Sequence, residues 1–546
     1  ILFLLLISLK YFLMATLSIE QGKLRGGKSQ TDNGFEYYEF LGIPYAKPPV
    51  GNLRFKSPQP AEKWDGERDA TVASKENIAL QMDMLESLDI VGSEDCLYLN
   101  VYTPKITENE SELLPVMFFI HGGGFVHGNG ILKKEHAPDF LIEHNIVLVV
   151  INYRLSILGF LSLDIPEVAG NMGLKDQVKA LEWVQNNIAH FGGDKNNVTI
   201  FGTSAGAASV DYLLVSPKAK GLFHKAILHS GSCLNHWAVN YEPKKLAYKV
   251  AESLGYNESL EDVNSLKEFL LNTPGSDLTA TALKICQKYT DKYILFGFVP
   301  TIEKDFGNGE AFLTDHPYRL LKQGLFNQVP VIKGFCNKEG YLMNAINPKG
   351  VLDVLHNKNF VEHWPFELDA DDKVKYSKKT KMLLAYSRNI QPSDDHDKIA
   401  VDFFSDLDFV AGIWSSGKLM AGKGVPVRFY EFSYDGKINY FKLLFGVKRN
   451  GAGHADDHSY IMCHDLTKKA HGHDIIIRNT MCQMWTNFAK TSCPTPKCSS
   501  DNLVEWPVYA ENNPVYLSID KKINILSNYE PQRMAIFEEI YNKYEK

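Results

Sequence analysis

Ser204 lies in Gly202-Thr203-Ser204-Ala205-Gly206, a Gly-x-Ser-x-Gly segment. A serine hydroxyl attacks a carbonyl carbon once a base takes its proton and an anion orients that base. The residues before it, 197–201, predict a buried strand, and the small and apolar residues 205–215 predict a helix. A tight strand-to-helix turn crowds its neighbours, which calls for glycine on both sides of the serine. The same turn lifts the hydroxyl above the sheet and aims the positive end of the helix at it. After the apolar run 116–120 comes His121-Gly122-Gly123-Gly124-Phe125. Consecutive glycines let backbone N–H groups converge on one point, which in acyl transfer is the oxyanion of the tetrahedral intermediate. Gly123 and Gly124 are the expected first two donors and Ala205 the third. A phosphate cradle is excluded, because neither Gly-x-Gly-x-x-Gly nor Gly-Lys-Ser/Thr follows.

The expected base is His454, in Gly451-Ala452-Gly453-His454-Ala455-Asp456-Asp457-His458-Ser459-Tyr460, with His458 a rival four residues on. The expected acid is Glu339, in Gly334-Phe335-Cys336-Asn337-Lys338-Glu339-Gly340. Read in isolation, that loop would make Glu339 an ordinary surface carboxylate paired with Lys338. The order serine, acid, histidine is that of an α/β-hydrolase triad.

These residues need a frame that holds three distant loops together. Continuous apolar runs at 116–120, 146–151, 198–201, 226–228, 329–332 and 427–432 read as strands buried on both faces, with amphipathic helices such as 174–188 between them. The alternation predicts an α/β fold with a central, mostly parallel, twisted sheet and helices on both faces. In such sheets ligands bind outside the carboxyl ends of the strands, and each segment above follows a strand.

Bulk properties narrow the partners. The chain has 546 residues, 45% hydrophobic and 23% charged, with a formal net charge of −7. That balance gives no electrostatic basis for binding nucleic acid. The lysine-rich stretch 373–381 follows three aspartates and reads as the solvated face of a helix. Eight cysteines are mostly isolated. Cys493 and Cys498 alone are close and lack the second ligand pair of a zinc site, so no metal is expected. The scatter does not form a disulfide framework and points to a reducing, cytoplasmic compartment. Residues 1–13 are almost wholly apolar but fall short of the ~20 residues of a membrane span. They read as a truncated signal peptide, which would make the protein secreted, or as sequence upstream of a start at Met14. We therefore expect an N-terminal apolar leader over 1–18 and one catalytic domain over 19–546.

Further motifs carry a resemblance. They are Gly42-Ile43-Pro44-Tyr45-Ala46-Lys47-Pro48-Pro49, Leu53-Arg54-Phe55, Ser93-Glu94-Asp95-Cys96-Leu97-Tyr98-Leu99-Asn100-Val101, Asn152-Tyr153-Arg154, Gly170-Asn171-Met172-Gly173-Leu174-Lys175-Asp176-Gln177 and Phe191-Gly192-Gly193-Asp194. With the loops above, the chain resembles a type-B carboxylesterase of the cholinesterase/carboxylesterase family, in detail the insect α-esterases. The resemblance covers residue 19 to near the C-terminus. It implies Glu339 and His454 as acid and base, no cofactor, and hydrolysis of uncharged carboxylic esters through an acyl-serine, in detoxification or on dietary or lipid-like esters. It also implies organophosphates as inhibitors trapped on Ser204. By the same resemblance Trp237 falls in the acyl pocket and limits the acid side to modest size; Phe125, Phe298, Phe409 and Tyr460 are candidate walls.

Two departures stand out. Thr203 occupies a position where most relatives carry Glu, and the loss of that carboxylate disfavours a choline ester; juvenile-hormone esterases resemble Gly-Gln-Ser-Ala-Gly there, which Thr203 also fails to match. The extracellular members pair the cysteine at the Cys96 position with an earlier one, and no cysteine precedes Cys96 here. The alternatives are an esterase dedicated to a hormone or pheromone, and a non-catalytic cholinesterase-like binding protein. Relatives of the second kind usually lose the nucleophile or the histidine, both present here.

Overall fold

A computed structural model describes residues 14–83, 87–107, 109–288, 296–357, 360, 363, 379–387, 397–497 and 503–545. Twelve strands run through its main sheet in chain order: β1 (Met14–Ile19), β2 (Gly22–Gln30), β3 (Glu36–Pro44), β4 (Tyr98–Thr103), β5 (Leu114–Ile120), β6 (Val147–Ile151), β7 (Gly193–Thr203), β8 (Lys225–His229), β9 (Val331–Cys336), β10 (Val427–Phe432), β11 (Val515–Ile519) and β12 (Ile523–Ser527). Their spatial order is β1-β2-β3-β4-β6-β5-β7-β8-β9-β10-β11-β12, with Glu67–Asp69 added beside β2. From β6 through β11 every neighbouring pair is parallel, while β1-β2-β3-β4-β6 at one edge and β11-β12 at the other pair antiparallel and Glu67–Asp69 lies parallel to β2.

Strands β5 and β6 are apolar without a break because both faces are covered. Along β5, Val116, Phe118 and Ile120 enter one core while Met117 and Phe119 enter the other. In β6 the division is Val147, Val149 and Ile151 against Leu148 and Val150. The first core is closed by helices α1 (Met172–Asn187), α2 (Ala205–Val215) and α3 (Ala411–Ala421), the second by α4 (His473–Thr491). This is the α/β arrangement expected from the sequence.

Several boundaries differ from the sequence reading. The strand anticipated at 329–332 begins at Val331, because Pro330 has no N–H to give a ladder and acts only as an acceptor, from Ala226. The helix expected over 174–188 starts at Met172, and its end passes into a 3₁₀ turn over Ile188–Phe191. The leader expected over 1–18 is corrected at its end. Met14–Ile19 is the edge strand β1, registered antiparallel on β2 from Met14 opposite Gly27 to Ile19 opposite Gly22. Residues 1–13, the lysine-rich stretch 373–378 and Cys498 lie outside the described residues. Among the described residues no helix is long and apolar enough to cross a membrane.

Candidate active site

The turn after β7 sets the Ser204 hydroxyl. Ser204 holds φ 59° and ψ −123°, a conformation that costs on the order of 1–3 kcal/mol and persists only when its surroundings impose it. The surroundings do so on both sides. The Ser204 N–H donates to the His229 carbonyl at 2.8 Å, and the Ser204 carbonyl accepts from the Ala208 N–H at 2.9 Å as α2 begins. A Cβ on Gly206 would stand 2.1 Å from the Ile120 oxygen, and one on Gly202 would stand 2.5 Å from the Gly206 backbone. The two glycines that flank the serine are therefore fixed by the crossing of α2 over the ends of β5 and β7.

The glycine-rich loop after β5 lies against this turn. A Cβ on Gly122 would be 3.1 Å from that of Ser204. Gly123 and Gly124 take φ of 106° and 61°, which L side chains rarely adopt. The N–H groups of Gly123, Gly124 and Ala205 find no acceptor among the described residues. The loop is anchored by Tyr153, whose hydroxyl donates to the His121 carbonyl at 3.1 Å and whose ring stacks on His121 at 4.5 Å. Burial holds the His121 and His127 imidazoles down at about 4, so neither puts a positive charge beside the loop near neutral pH.

Glu339 and His454 meet above the ends of β9 and β10. Glu339 sits in the turn after β9 and is wholly buried, not a surface carboxylate. Its Oε1 accepts the Cys336 N–H at 2.7 Å, and its Oε2 lies 2.6 Å from His454 Nδ1. His454 Nε2 is 2.8 Å from Ser204 Oγ. The two loops are laced together: Lys338 N–H donates to the Ala452 carbonyl, Ala452 N–H to Asn337 Oδ1, both at 2.9 Å, and the Tyr341 hydroxyl to the Asn450 carbonyl at 2.8 Å. The Phe409 ring lies 4.4 Å from the His454 ring and closes its other side. His458 goes elsewhere. Its Nδ1 is 2.9 Å from the Thr203 hydroxyl, and burial, with His229 nearby, holds it at about 3.

A serine, a histidine and a buried carboxylate in hydrogen-bond series is the arrangement that activates a nucleophile for acyl transfer. Comparison with known proteins agrees in scope. The carboxylesterase family model matches residues 14–537. The chain belongs to the carboxylesterase family. It is 35% identical over 535 residues to esterase FE4 of Myzus persicae, covering 95% of this chain and 90% of that one. It is 35% identical over 501 residues to a juvenile hormone esterase of Tribolium castaneum, covering 87% and 83%. Among solved structures, the juvenile hormone esterase of Manduca sexta with OTFP covalently attached superposes with a TM-score of 0.83 at 28% identity, covering 97% of this chain and 100% of that one. This chain is thus a carboxylic ester hydrolase.

The esterase carries an aromatic wall beside His454. Trp237 packs against Phe125 at 6.4 Å, Phe296 at 5.8 Å and Phe409 at 5.9 Å between ring centroids. Its indole N–H donates to the Asp408 carbonyl at 2.6 Å, which fixes the ring. Phe409 and Asp408 lie on a π-helical turn, Asp406–Val410, within an otherwise continuous helix, and this bulge re-aims Phe409 toward His454. Two expected wall residues stand apart. Tyr460 belongs to the second core, against Phe432 and Tyr434, with its hydroxyl on Asn439 Oδ1 at 2.8 Å, while Trp237, Phe125 and Phe409 belong to the first. Phe298 is fully buried in the first core, and it is Phe296, two residues earlier, that meets Trp237.

Phe296 is one of the residues that sequence reasoning missed. Its ring lies where a Cβ on Gly124 would come within 2.6 Å, so it bridges the glycine loop and the wall. A second missed group lies beneath Ser204. Trp485 N–H donates to His229 Nε2 at 2.9 Å, which puts the imidazole proton on Nδ1, 3.1 Å from Asp457 Oδ2. The Tyr430 hydroxyl donates to the same oxygen at 2.5 Å. Burial opposes the charge on Asp457, but the hydrogen bonds from His229 and Tyr430 prevail and hold it below the usual carboxylate range.

Proposed function

We propose that this esterase hydrolyses uncharged carboxylic esters through an acyl-serine intermediate. Ser204 Oγ attacks the ester carbonyl as His454 Nε2 takes its proton, and Glu339 stabilises the imidazolium that forms. The N–H groups of Gly123, Gly124 and Ala205 hold the oxyanion, with the N-terminus of α2 behind them. Collapse expels the alcohol with the proton from Nε2. Water then repeats the sequence on the acyl group, releases the acid and returns the proton to Ser204. The observation that carries this reading is the unbroken series Glu339–His454–Ser204 at 2.6 and 2.8 Å, beside a glycine loop and a helix start whose Gly123, Gly124 and Ala205 amides find no acceptor among the described residues. The covalently attached OTFP of the Manduca sexta relative supports a covalent step.

Thr203 puts no charge beside the nucleophile, which favours neutral esters over cationic ones. The role is detoxification, on xenobiotic, dietary or lipid-like esters, in line with the resemblance to insect α-esterases. Organophosphates are inhibitors that occupy Ser204. The residues from Met14 onward act as one catalytic domain, supported by the continuous sheet, which begins with β1, and by a family match over residues 14–537. The compartment is cytoplasmic, supported by a free, buried Cys96 thiol.

The wall makes the acyl side short. Trp237 is held by its indole N–H and packed by three rings, so a longer chain must displace it. Across p-nitrophenyl acetate to octanoate, kcat/KM peaks at short chains. Trp237→Ala frees room for at least two methylenes, at about 0.8 kcal/mol each, and raises kcat/KM for octanoate about tenfold relative to acetate. An unchanged chain-length profile would remove Trp237 from the acyl pocket.

A further inference from the structure

We propose that Thr203 and His458 form a positioning pair that sets the distance between the nucleophile and its base. The inference rests on the acyl-serine reading above. Thr203 precedes Ser204 in the turn after β7, and His458 follows His454 by four residues in the same loop. Their side chains meet at 2.9 Å, a cross-link between the two segments that must bring Ser204 Oγ and His454 Nε2 together. The bond forms with either imidazole tautomer, since the hydroxyl both donates and accepts.

Each half of the pair is held from elsewhere. Thr203 ends the register of β7 opposite His229 of β8. The His458 ring stacks on Phe119 at 5.2 Å, nearly parallel at 19°, with the His136 ring edge-on at 5.5 Å. His458 Nε2 is buried without a partner among the described residues, so the contact to Thr203 is the polar tie of that ring. Burial keeps the imidazole neutral, so the tie is a hydroxyl–imidazole hydrogen bond and not an ion pair. A second tie runs in parallel. Ser204 N–H donates to the His229 carbonyl, and His229 Nδ1–H donates to Asp457, the neighbour of His458. The two ties fasten the base-bearing loop to adjacent strands, β7 and β8, directly under the serine. Removing one leaves the loop attached but free to shift, and a displacement near 1 Å at reacting atoms costs roughly 10²-fold in rate.

The test compares Thr203→Val, which keeps the shape and removes the hydroxyl, with Thr203→Ser, which keeps the hydroxyl. His458→Phe and the double variant Thr203→Val/His458→Phe complete a cycle, read on p-nitrophenyl acetate with thermal midpoints measured alongside. Thr203→Val lowers kcat about 10- to 100-fold with KM within twofold, Thr203→Ser restores kcat to within threefold, and the double variant falls no further than Thr203→Val. Thr203→Val with wild-type kcat per folded enzyme overturns the proposal, as does a fall in thermal midpoint without a change in kcat. If His458→Phe does not fold, the Val and Ser variants at position 203 still decide the matter. An active Ser204→Ala enzyme would sink the acyl-serine reading itself. A silent Thr203→Val alongside a dead Ser204→Ala sinks only the pair.

Discussion

Ser204→Ala lowers kcat for p-nitrophenyl acetate by about 10⁴- to 10⁶-fold while leaving the thermal midpoint unchanged. The two halves of that expectation have separate causes. The rate falls because the hydroxyl 2.8 Å from His454 Nε2 is the attacking atom in the proposed reaction. A fall of 10⁵ corresponds to about 7 kcal/mol of lost transition-state stabilisation. The stability stays because the strained backbone at φ 59° is equally awkward for serine and alanine, and the bonds that hold it are main-chain. Residual activity measures what the glycine-loop amides do alone. A variant within tenfold of the wild type would show that Ser204 is not the nucleophile.

Glu339→Gln is the second large effect, about 10³- to 10⁴-fold in kcat. The carboxylate is wholly buried, with one oxygen held by the Cys336 N–H and the other facing His454 Nδ1. In the glutamine variant the carbonyl oxygen keeps the Cys336 bond, because only it accepts. The amide NH₂ must then face Nδ1, which can only accept, so the imidazole proton moves to Nε2 and points at Ser204. The base is blocked without any change of shape. KM stays within a few-fold, because no group that touches the bound ester has moved. Loss of kcat below tenfold would mean that Glu339 merely fills space.

Much of this was readable in the residues, and the failures are instructive. Gly202 and Gly206 were legible because a crossing helix leaves no room for a Cβ, a steric demand that writes itself into the sequence at fixed spacing. The central strands were legible because burial on both faces leaves continuous apolar runs. Spacing alone left His458 a rival to His454, and the family resemblance chose His454; both lie in one loop, and the fold sends one to Ser204 and the other to Thr203. Tyr460 was misplaced for a related reason: an aromatic near a site residue carries no mark of which face of the sheet it enters. Phe296 escaped because it lies in a segment without periodicity or motif. His229, at the carboxyl end of a parallel strand, was a usable signal that went unread. Residues 14–18 followed an apolar run and were absorbed into it, although Met14-Ala15-Thr16-Leu17-Ser18 also suits a strand at a sheet edge, where it pairs with β2.

The central claim is that the acyl group passes through Ser204 Oγ. It is tested most directly by mixing enzyme with excess p-nitrophenyl butyrate, quenching in acid during the first turnovers, and measuring intact and peptide masses. The account predicts one butyryl group per enzyme, located on the peptide containing Ser204 and absent from Ser204→Ala, with a matching burst of p-nitrophenol. Steady turnover with no adduct on Ser204 and no burst, under conditions where deacylation is slowed by low pH, would contradict it.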